Sequence, residues 1–546
     1  MGMYLNLGND GFQAIRKGLY VDKSGLIAFV NSTLGTANKL TCISRPRRFG
    51  KSFATKMLSA YYDKSCDSKA LFEDLEIAED PSFEKYLNCY DVLYLDITWF
   101  ISTWKSHVCY AAPEEMPDRG DISGFRQETG YKNIVDYMEK QVTGELAGLY
   151  PFIKDETSLP MALCKISEAT GSKFVVLIDE WDALFREAKE KEGLQRDYIQ
   201  LLRGMFKSSM TDKMIEAAYM TGILPIKKYG TQSAMTDFRE YTMLSPKRLA
   251  KYTGFTEAEV KRLCEAYDMD FEEAKRRYDG YSFHGTESIY NPNAIVEAME
   301  NGEFGSYWTE TETYESLKVY IDLDLDGLKE GILSMLGGAR CPVDTRTFQN
   351  DMTSISSKDD VLTLLVHLGY LAYEADTKSV YIPNEEIRQE FIRAVKYGRH
   401  REIAELIVAS DRLLQDTLRM DGEKVAAAVE KVHDTMAAPV FYNNEQALRS
   451  VIRFAYISCM DEFKDIQELP SGIGYADLVY LPKKSSPMPI MVIELKWNKS
   501  AGSAIEQIKD KKYPQVFEGY GSDILLVGIS YDEKTKRHEC MIEKYH

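Results

Sequence analysis

Residues 39–58 read KLTCISRPRRFGKSFATKML: a short apolar run, a basic turn holding Gly-Lys-Ser, then a stretch with helical spacing. No other stretch restricts the fold as strongly. A Gly-Lys-Ser turn between strand and helix lies where a helix N-terminus aims unpaired N–H groups at an anion. The spelling departs from the phosphate-loop pattern G-x-x-x-x-G-K-[ST], because Arg45 stands at the first glycine. Pro46 biases Arg45 toward an extended backbone, so the chain enters the turn as a strand continuation. A left-handed Arg45 would cost about 1–3 kcal/mol, against about 8 kcal/mol for micromolar nucleotide binding. The run Arg45, Pro46, Arg47, Arg48, Phe49, Gly50, Lys51, Ser52 is therefore a candidate nucleotide loop. Gly50 lets the backbone approach a phosphate. Lys51 is placed for the β- and γ-phosphates and the Ser52 hydroxyl for Mg²⁺.

Three further apolar runs follow, DVLYLDIT (91–98), KFVVLIDE (173–180) and IEAAYMTGIL (215–224), separated by helical segments such as 52–64 and 193–209. Short β-rich runs joined by helices predict parallel strands with crossover helices. KFVVLIDE ends in Asp179-Glu180, the pattern in which the aspartate orders a Mg²⁺ shell and the glutamate polarises the attacking water. Thr221 ends the next run, where a polar residue can sense the γ-phosphate. Arg239, in DFREY, is a candidate trans-acting arginine. Residues 104–130, with Pro113, Pro117, Gly120 and Gly124, read as a surface insertion.

From about 236 to 340 the pattern is mostly helical, with a capping signal at Thr256/Glu259 and a loop-like YDGYSF at 278–283. Between 355 and 395 a helix, a hairpin and a helix follow in an order that suggests a winged helix. The last 110 residues return to strands around one helix. The 546-residue chain has a net charge of −18, which argues against sequence-independent binding of nucleic acid over its whole surface but leaves room for a local basic channel. No run of eighteen apolar residues predicts a membrane span. The N-terminus lacks an apolar signal core, and Asn6 excludes a myristoylation signal. Nine scattered cysteines fit reduced thiols in a cytoplasm.

In PIMVIELKW (489–497), strand alternation puts Glu494 and Lys496 on one face, and Asp477 lies on the preceding run, YADLVYL. Two carboxylates and a lysine on adjacent strands form a hard-oxygen site for Mg²⁺, with the lysine free to stabilise phosphate charge. E-x-K on a strand face is also common as plain cross-strand charge pairing. Here the lysine sits in a run otherwise of Ile, Met, Val and Leu, with Lys509, Lys511 and Lys512 just beyond.

The set GLYVDKSGLI, RPRRFGKS, LIDEWD, TGIL, YDGYSF and YNP resembles the bacterial AAA-ATPase-like family over essentially the whole chain. In that family such a domain is commonly joined to a nuclease-like domain of the PD-(D/E)-x-K superfamily, and arginine in place of the first loop glycine is the family's own spelling. The resemblance implies that Gln507 is the polar helix residue beside the nuclease motif and Glu445 the upstream helical acid. Tyr475 stands where the family usually carries arginine. The expected fold is α/β: a P-loop NTPase (AAA-like) parallel sheet with a helical lid, plus a C-terminal restriction-endonuclease-like α/β domain. The expected divisions are an ATPase core at 1–235, the lid at 236–345, a helical, winged-helix-like linking region at 346–435 and the nuclease-like domain at 436–546. The expected activity is a nucleotide-regulated, Mg²⁺-dependent nuclease on DNA or RNA. ATP or GTP is held at the loop with Asp179 and Thr221, and Glu180, Asp477, Glu494 and Lys496 are catalytic. Ser52, Asp179, Asp477 and Glu494 are the metal ligands, and a homo-oligomer is allowed. The rival readings are a nucleotide-switched binding or scaffold protein with an inactive nuclease fold, and an ATPase whose C-terminal domain only recognises a partner.

Overall fold

The computed structural model describes residues 2–545 except 112–130, 189–190, 227, 230–231, 234, 236, 284–285, 309–313, 324, 350–354, 398–400, 437–444, 458, 460–462, 472–473, 483–487 and 518–522. The chain divides into two units, Met1–Thr311 with Val343–Glu385, and Glu312–Pro342 with Glu386–His546.

The first unit is built on a parallel sheet. Its strands are β1 (Leu40–Ser44), β2 (Asp91–Asp96), β3 (Phe174–Asp179) and β4 (Ile215–Gly222), in the order β2-β3-β4-β1, closed at the edge by the short strand Arg239–Tyr241. All four neighbouring pairs are parallel. Because side chains alternate along a strand, both faces of β3 are buried. Val176 and Ile178 enter one core with Trp104 and Met220, while Val175 and Leu177 enter the other with Val92 and Tyr219. Each such aliphatic side chain contributes about 1.5–3 kcal/mol when fully buried. The helix Lys51–Tyr62 covers the second face through Ala54, Met57, Leu58 and Tyr61, spaced i, i+3, i+4, i+7.

Two expectations change here. Residues 104–111 are not an exposed insertion but the end of the helix Ile97–Ala111, with Trp104 in the core; residues 112–130 lie outside the described residues. YDGYSF is not a loop throughout. Tyr281–Phe283 is a strand in a small antiparallel sheet with Phe255–Thr256 and Thr286–Tyr290, packed among the helices Glu257–Tyr267, Phe271–Tyr278 and Pro292–Asn301. The Thr256/Glu259 capping box forms as expected. The helix Lys358–Leu368 and the hairpin Ala372–Glu374/Ser379–Tyr381 also belong to this unit.

The second unit holds a five-stranded mixed sheet in sequence order: Phe463–Ser471, Gly474–Pro482, Ile490–Trp497, Ile524–Asp532 and Arg537–Tyr545. Only Ile490–Trp497 and Ile524–Asp532 are parallel, joined through the crossover helix Ala501–Asp510. Among the described residues, no helix is long and apolar enough to cross a membrane.

Candidate functional sites

The basic turn after β1 opens on a cavity of about 920 Å³. Arg47, Arg48, Phe49, Gly50, Lys51 and Ser52 line one side, and Asp96, Asp179, Glu180 and Arg186 the facing side. Tyr20, Val21, Tyr252, Phe255 and Val296 add apolar surface to the lining. Thus the cavity combines cations and backbone N–H groups with a hydrophobic wall.

The loop solves its missing glycine by moving the strained positions. Left-handed backbone falls at Arg48 (φ 65°) and Gly50 (φ 80°), not at Arg45. Arg45 continues the strand, its N–H donating to the Gly222 carbonyl. Its side chain is not part of the cavity. The guanidinium is fully buried, donates to the carbonyls of Ser44 and Tyr241 at 2.8 and 3.0 Å, and lies over the Phe283 ring. Burial lowers its pKa to about 10. Arg45, expected among the nucleotide-binding residues of the loop, does not line the cavity: with the backbone extended, the side chain turns into the sheet edge.

The rear of the loop is packed on unusually small residues. A Cβ on Gly369 would come within 2.7 Å of Pro46 and 2.8 Å of Trp308. Phe49 meets Tyr281 edge to face at 5.4 Å, its carbonyl accepts from Gly254 N–H, and the Tyr281 hydroxyl donates to the Gly369 carbonyl. The YDGYSF strand is thus the back wall of the loop.

In front, Lys51 Nζ donates to the Pro46 carbonyl at 2.9 Å and lies 3.5 Å from Glu180. Glu180 has left-handed backbone, φ 53°, a strained conformation for this residue type. Its other oxygen is paired with Arg186, which also reaches Asp182 at 3.1 Å. Burial pushes the Glu180 carboxyl up, but Lys51, Arg186 and Arg47 outweigh it and hold it below the ordinary carboxylate range. Asp179 accepts from the buried Thr221 hydroxyl and from Tyr94. Thr221 lies behind Asp179 rather than on the cavity wall. Arg239 is exposed on the edge strand opposite Thr41, about 13 Å along β1 from the loop at strand spacing. It belongs to no lid, and it stands apart from this cavity. Sequence reasoning missed Arg186, six residues after Glu180, and Asp96, which faces Asp179 across β2 and β3. Burial, then Asp179, holds the Asp96 carboxyl above its ordinary range.

In the second unit, Glu494 is 2% exposed. One of its oxygens accepts from Lys496 Nζ at 3.0 Å and from Gln507 on the crossover helix; the other, Oε2, is buried with no partner. Asp477 accepts from the Leu495 N–H at 2.9 Å and from Arg449 at 2.8 Å. Burial, then Asp477, raises the Glu494 pKa to about 7. The structure thus joins Asp477, Glu494, Lys496 and Gln507. Glu445 opens the helix Glu445–Ala455, and its side chain lies outside the described residues. Arg449, one turn along that helix, was not singled out by the sequence pattern. Lys509 is paired with Glu543. The donors suit a hard divalent cation: Glu494 and Asp477 supply carboxylate oxygens, and Oε2 is a buried acceptor without a donor.

Residues 6–231 match the family model of predicted AAA-ATPases, and residues 443–540 match the PD-(D/E)XK nuclease superfamily. The "Uncharacterized protein in vnfD 5′ region" of Azotobacter chroococcum mcd 1 is 22% identical over 565 residues, covering 97% of both chains. The structure of the Aeropyrum pernix ORC2 protein (ADPNP-ADP complexes) aligns over 69% of this chain and 95% of its own, at 12% identity and a TM-score of 0.23. That overlap is too loose to establish a shared fold.

Proposed function

We propose that this chain, an AAA-ATPase-like domain followed by a PD-(D/E)XK nuclease superfamily domain, is a nucleotide-regulated, Mg²⁺-dependent nuclease acting on DNA or RNA. The first unit binds ATP or GTP. Lys51 leaves the Pro46 carbonyl for the β- and γ-phosphates, exchanging one acceptor for a more highly charged one. Ser52 and Asp179 hold the cation, Thr221 fixes Asp179, and Glu180 orients the attacking water. The apolar wall at Tyr20 and Phe255 takes the base.

In the second unit Asp477 and Glu494 hold Mg²⁺, which when bound lowers the pKa of a water and offsets charge on the phosphodiester. Lys496 faces the same phosphate, and Gln507 fixes the rotamer of Glu494. The observation that carries this reading is Glu494 Oε2, buried and without a partner beside a second carboxylate. Nucleic acid is the partner at this site. A cytoplasmic setting fits the unpatterned cysteines of the sequence, and self-association is part of the proposal only as an allowed state.

One observation favours the rival, a nucleotide-switched binding or scaffold protein. The Arg449 guanidinium occupies one oxygen of Asp477, where a cation is expected. Incubating plasmid DNA and RNA with wild type and Lys51→Ala, with and without Mg²⁺ and ATP, separates the two. Mg²⁺-dependent cleavage whose rate responds to ATP in wild type but not in Lys51→Ala supports the proposal. No cleavage under any condition favours the scaffold.

A further inference from the structure

The segment GLYVDKSGLI (18–27) touches the nucleotide cavity, yet the phosphate chemistry gives it no task. Its Tyr20, Val21 and Lys23 line the cavity, and so do Tyr252, Gly254 and Phe255 at the entry to the small antiparallel sheet. Lys23 joins the two. An ammonium has three N–H groups, and here each has an acceptor: the two Glu259 oxygens at 2.7 and 2.6 Å and the Lys251 carbonyl at 2.8 Å. The side chains of Lys23 and Glu259 are only 14% and 13% exposed. Lys23 Nζ also lies 5.7 Å from the centre of the Phe255 ring.

Each partner is fixed from behind. Asp22 accepts the N–H groups of Ser24 and Glu76, both at 2.7 Å, and the Ser24 hydroxyl accepts from Ile77 N–H at 3.0 Å. These bonds fasten the segment to Ile77, a core residue. Glu259 also accepts the Thr256 N–H at 2.7 Å and so caps the helix Glu257–Tyr267. The Gly254 N–H donates to the Phe49 carbonyl in the phosphate loop. A buried ion pair adds little net stability over apolar residues of the same size, because desolvation offsets most of the attraction; its best-attested use is to fix one geometry. Here that geometry is the placement of residues 18–23 against residues 251–259, and both stretches supply cavity wall.

We propose that Lys23 is a positioning residue of the nucleotide site: paired with Glu259, it sets the spacing of the two wall segments around the base. The inference rests on the nucleotide reading of the cavity, with the base on the wall at Tyr20 and Phe255. Lys23 acts on the base end of the nucleotide and not on its phosphates.

The test separates those two ends. The full-length protein is titrated calorimetrically, in Mg²⁺, with inorganic tripolyphosphate and with the tighter of a non-hydrolysable ATP and GTP analogue. Removing one partner of a buried pair strands a charge, so the main variant is Lys23→Met/Glu259→Gln, which neutralises both and keeps a residue suited to the cap. Its Tm should stay within a few degrees of wild type. It should bind the analogue about tenfold more weakly, as a wall that is no longer preorganised must be ordered on binding, and tripolyphosphate within about twofold of wild type. Lys23→Arg, which keeps the charge, should retain most of the wild-type affinity. If the double variant does not fold, Glu259→Gln alone carries the test, and it must weaken the analogue more than tripolyphosphate. Wild-type affinity for the analogue in the variant would overturn the proposal. An equal loss for both ligands would overturn it too, because the pair would then support the phosphate loop. Wild type that binds tripolyphosphate as tightly as the analogue would also overturn it, since no wall then holds a base. Wild type that binds neither ligand would overturn the nucleotide reading itself, and this inference with it.

Discussion

Two glutamates lie on or just beyond buried strands in this chain, and their surroundings shift them in opposite directions. Glu180 faces Lys51, Arg186 and Arg47, and their attraction exceeds the cost of burial. Glu494 has Lys496 and Gln507 on one oxygen and nothing on the other, and there burial prevails and raises its pKa to about 7. The same side chain is charge-compensated in the first unit and short of positive charge in the second. The difference teaches what each site lacks. The phosphate loop already carries its cations and needs an anion to divert Lys51, whereas the strand pair Asp477/Glu494 needs a cation. On the proposed function, a nucleotide and a divalent metal are those two complements.

The comparison breaks most sharply at Lys496. Lys496→Ala should reduce Mg²⁺-dependent cleavage by about 10²- to 10³-fold, the usual loss on removing one stabiliser of developing phosphate charge. ATP turnover should persist. Parallel nuclease and phosphate-release assays check both, and loss of ATP turnover would show that the two chemistries are not separately housed. A smaller effect is expected at the back of the loop. Gly369 has φ 86°, and a methyl there would press on Pro46. Gly369→Ala should weaken nucleotide about tenfold, equivalent to about 1.4 kcal/mol, with Mn²⁺ binding in the second unit unchanged. Titration with a fluorescent nucleotide measures it.

Much of this was legible because periodicity survives folding. The four apolar runs became β1 to β4, each at most two residues shorter at either end, since strands buried on both faces must be apolar throughout. Period-two alternation placed Glu494 and Lys496 on one face, and they are hydrogen-bonded there. What escaped depended on backbone angles or on sheet neighbours. Arg45 counted with the loop because it stands at the first position of the phosphate-loop pattern; its extended backbone sends its side chain to the Tyr241 carbonyl. The edge strand Arg239–Tyr241 is three residues long, too short for a periodic signal, so Arg239 was placed on a lid. Asp96 acquires meaning only from its register with Asp179, and Arg449 only from its pairing with Asp477.

The opposite shifts should also appear as opposite pH trends. The folded-state pKa of Glu494 lies near 7 against an ordinary 4.5, so the folded protein binds the proton more tightly. Its contribution to stability is complete below about pH 4.5 and is lost as the pH rises through 7. Glu180, held low, contributes stability that is present above about 4.5 and lost on acidification. Metal-free wild type should therefore lose a few degrees of Tm relative to Glu494→Gln between pH 5 and pH 8, at about 2–4 °C per kcal/mol for a unit of this size. Differential scanning calorimetry in EDTA checks the sign; a flat difference would remove the assigned shift. The smallest expected effect is at Arg449. If its guanidinium only competes with a cation, Arg449→Ala should tighten Mn²⁺ by about fivefold or less, the scale of a partly exposed ion pair. Weaker binding would make Arg449 an orienting partner of Asp477 instead.

The central claim is that Glu494 awaits a cation that Glu180 does not. Calorimetric titration of Mn²⁺ into the nucleotide-free full-length chain at pH 8 tests it most directly, with Asp179→Asn in both samples to silence the first site. The account predicts one bound Mn²⁺ in Asp179→Asn and none in Asp179→Asn/Glu494→Gln. Equal binding in the two proteins, or no binding in either, would contradict it.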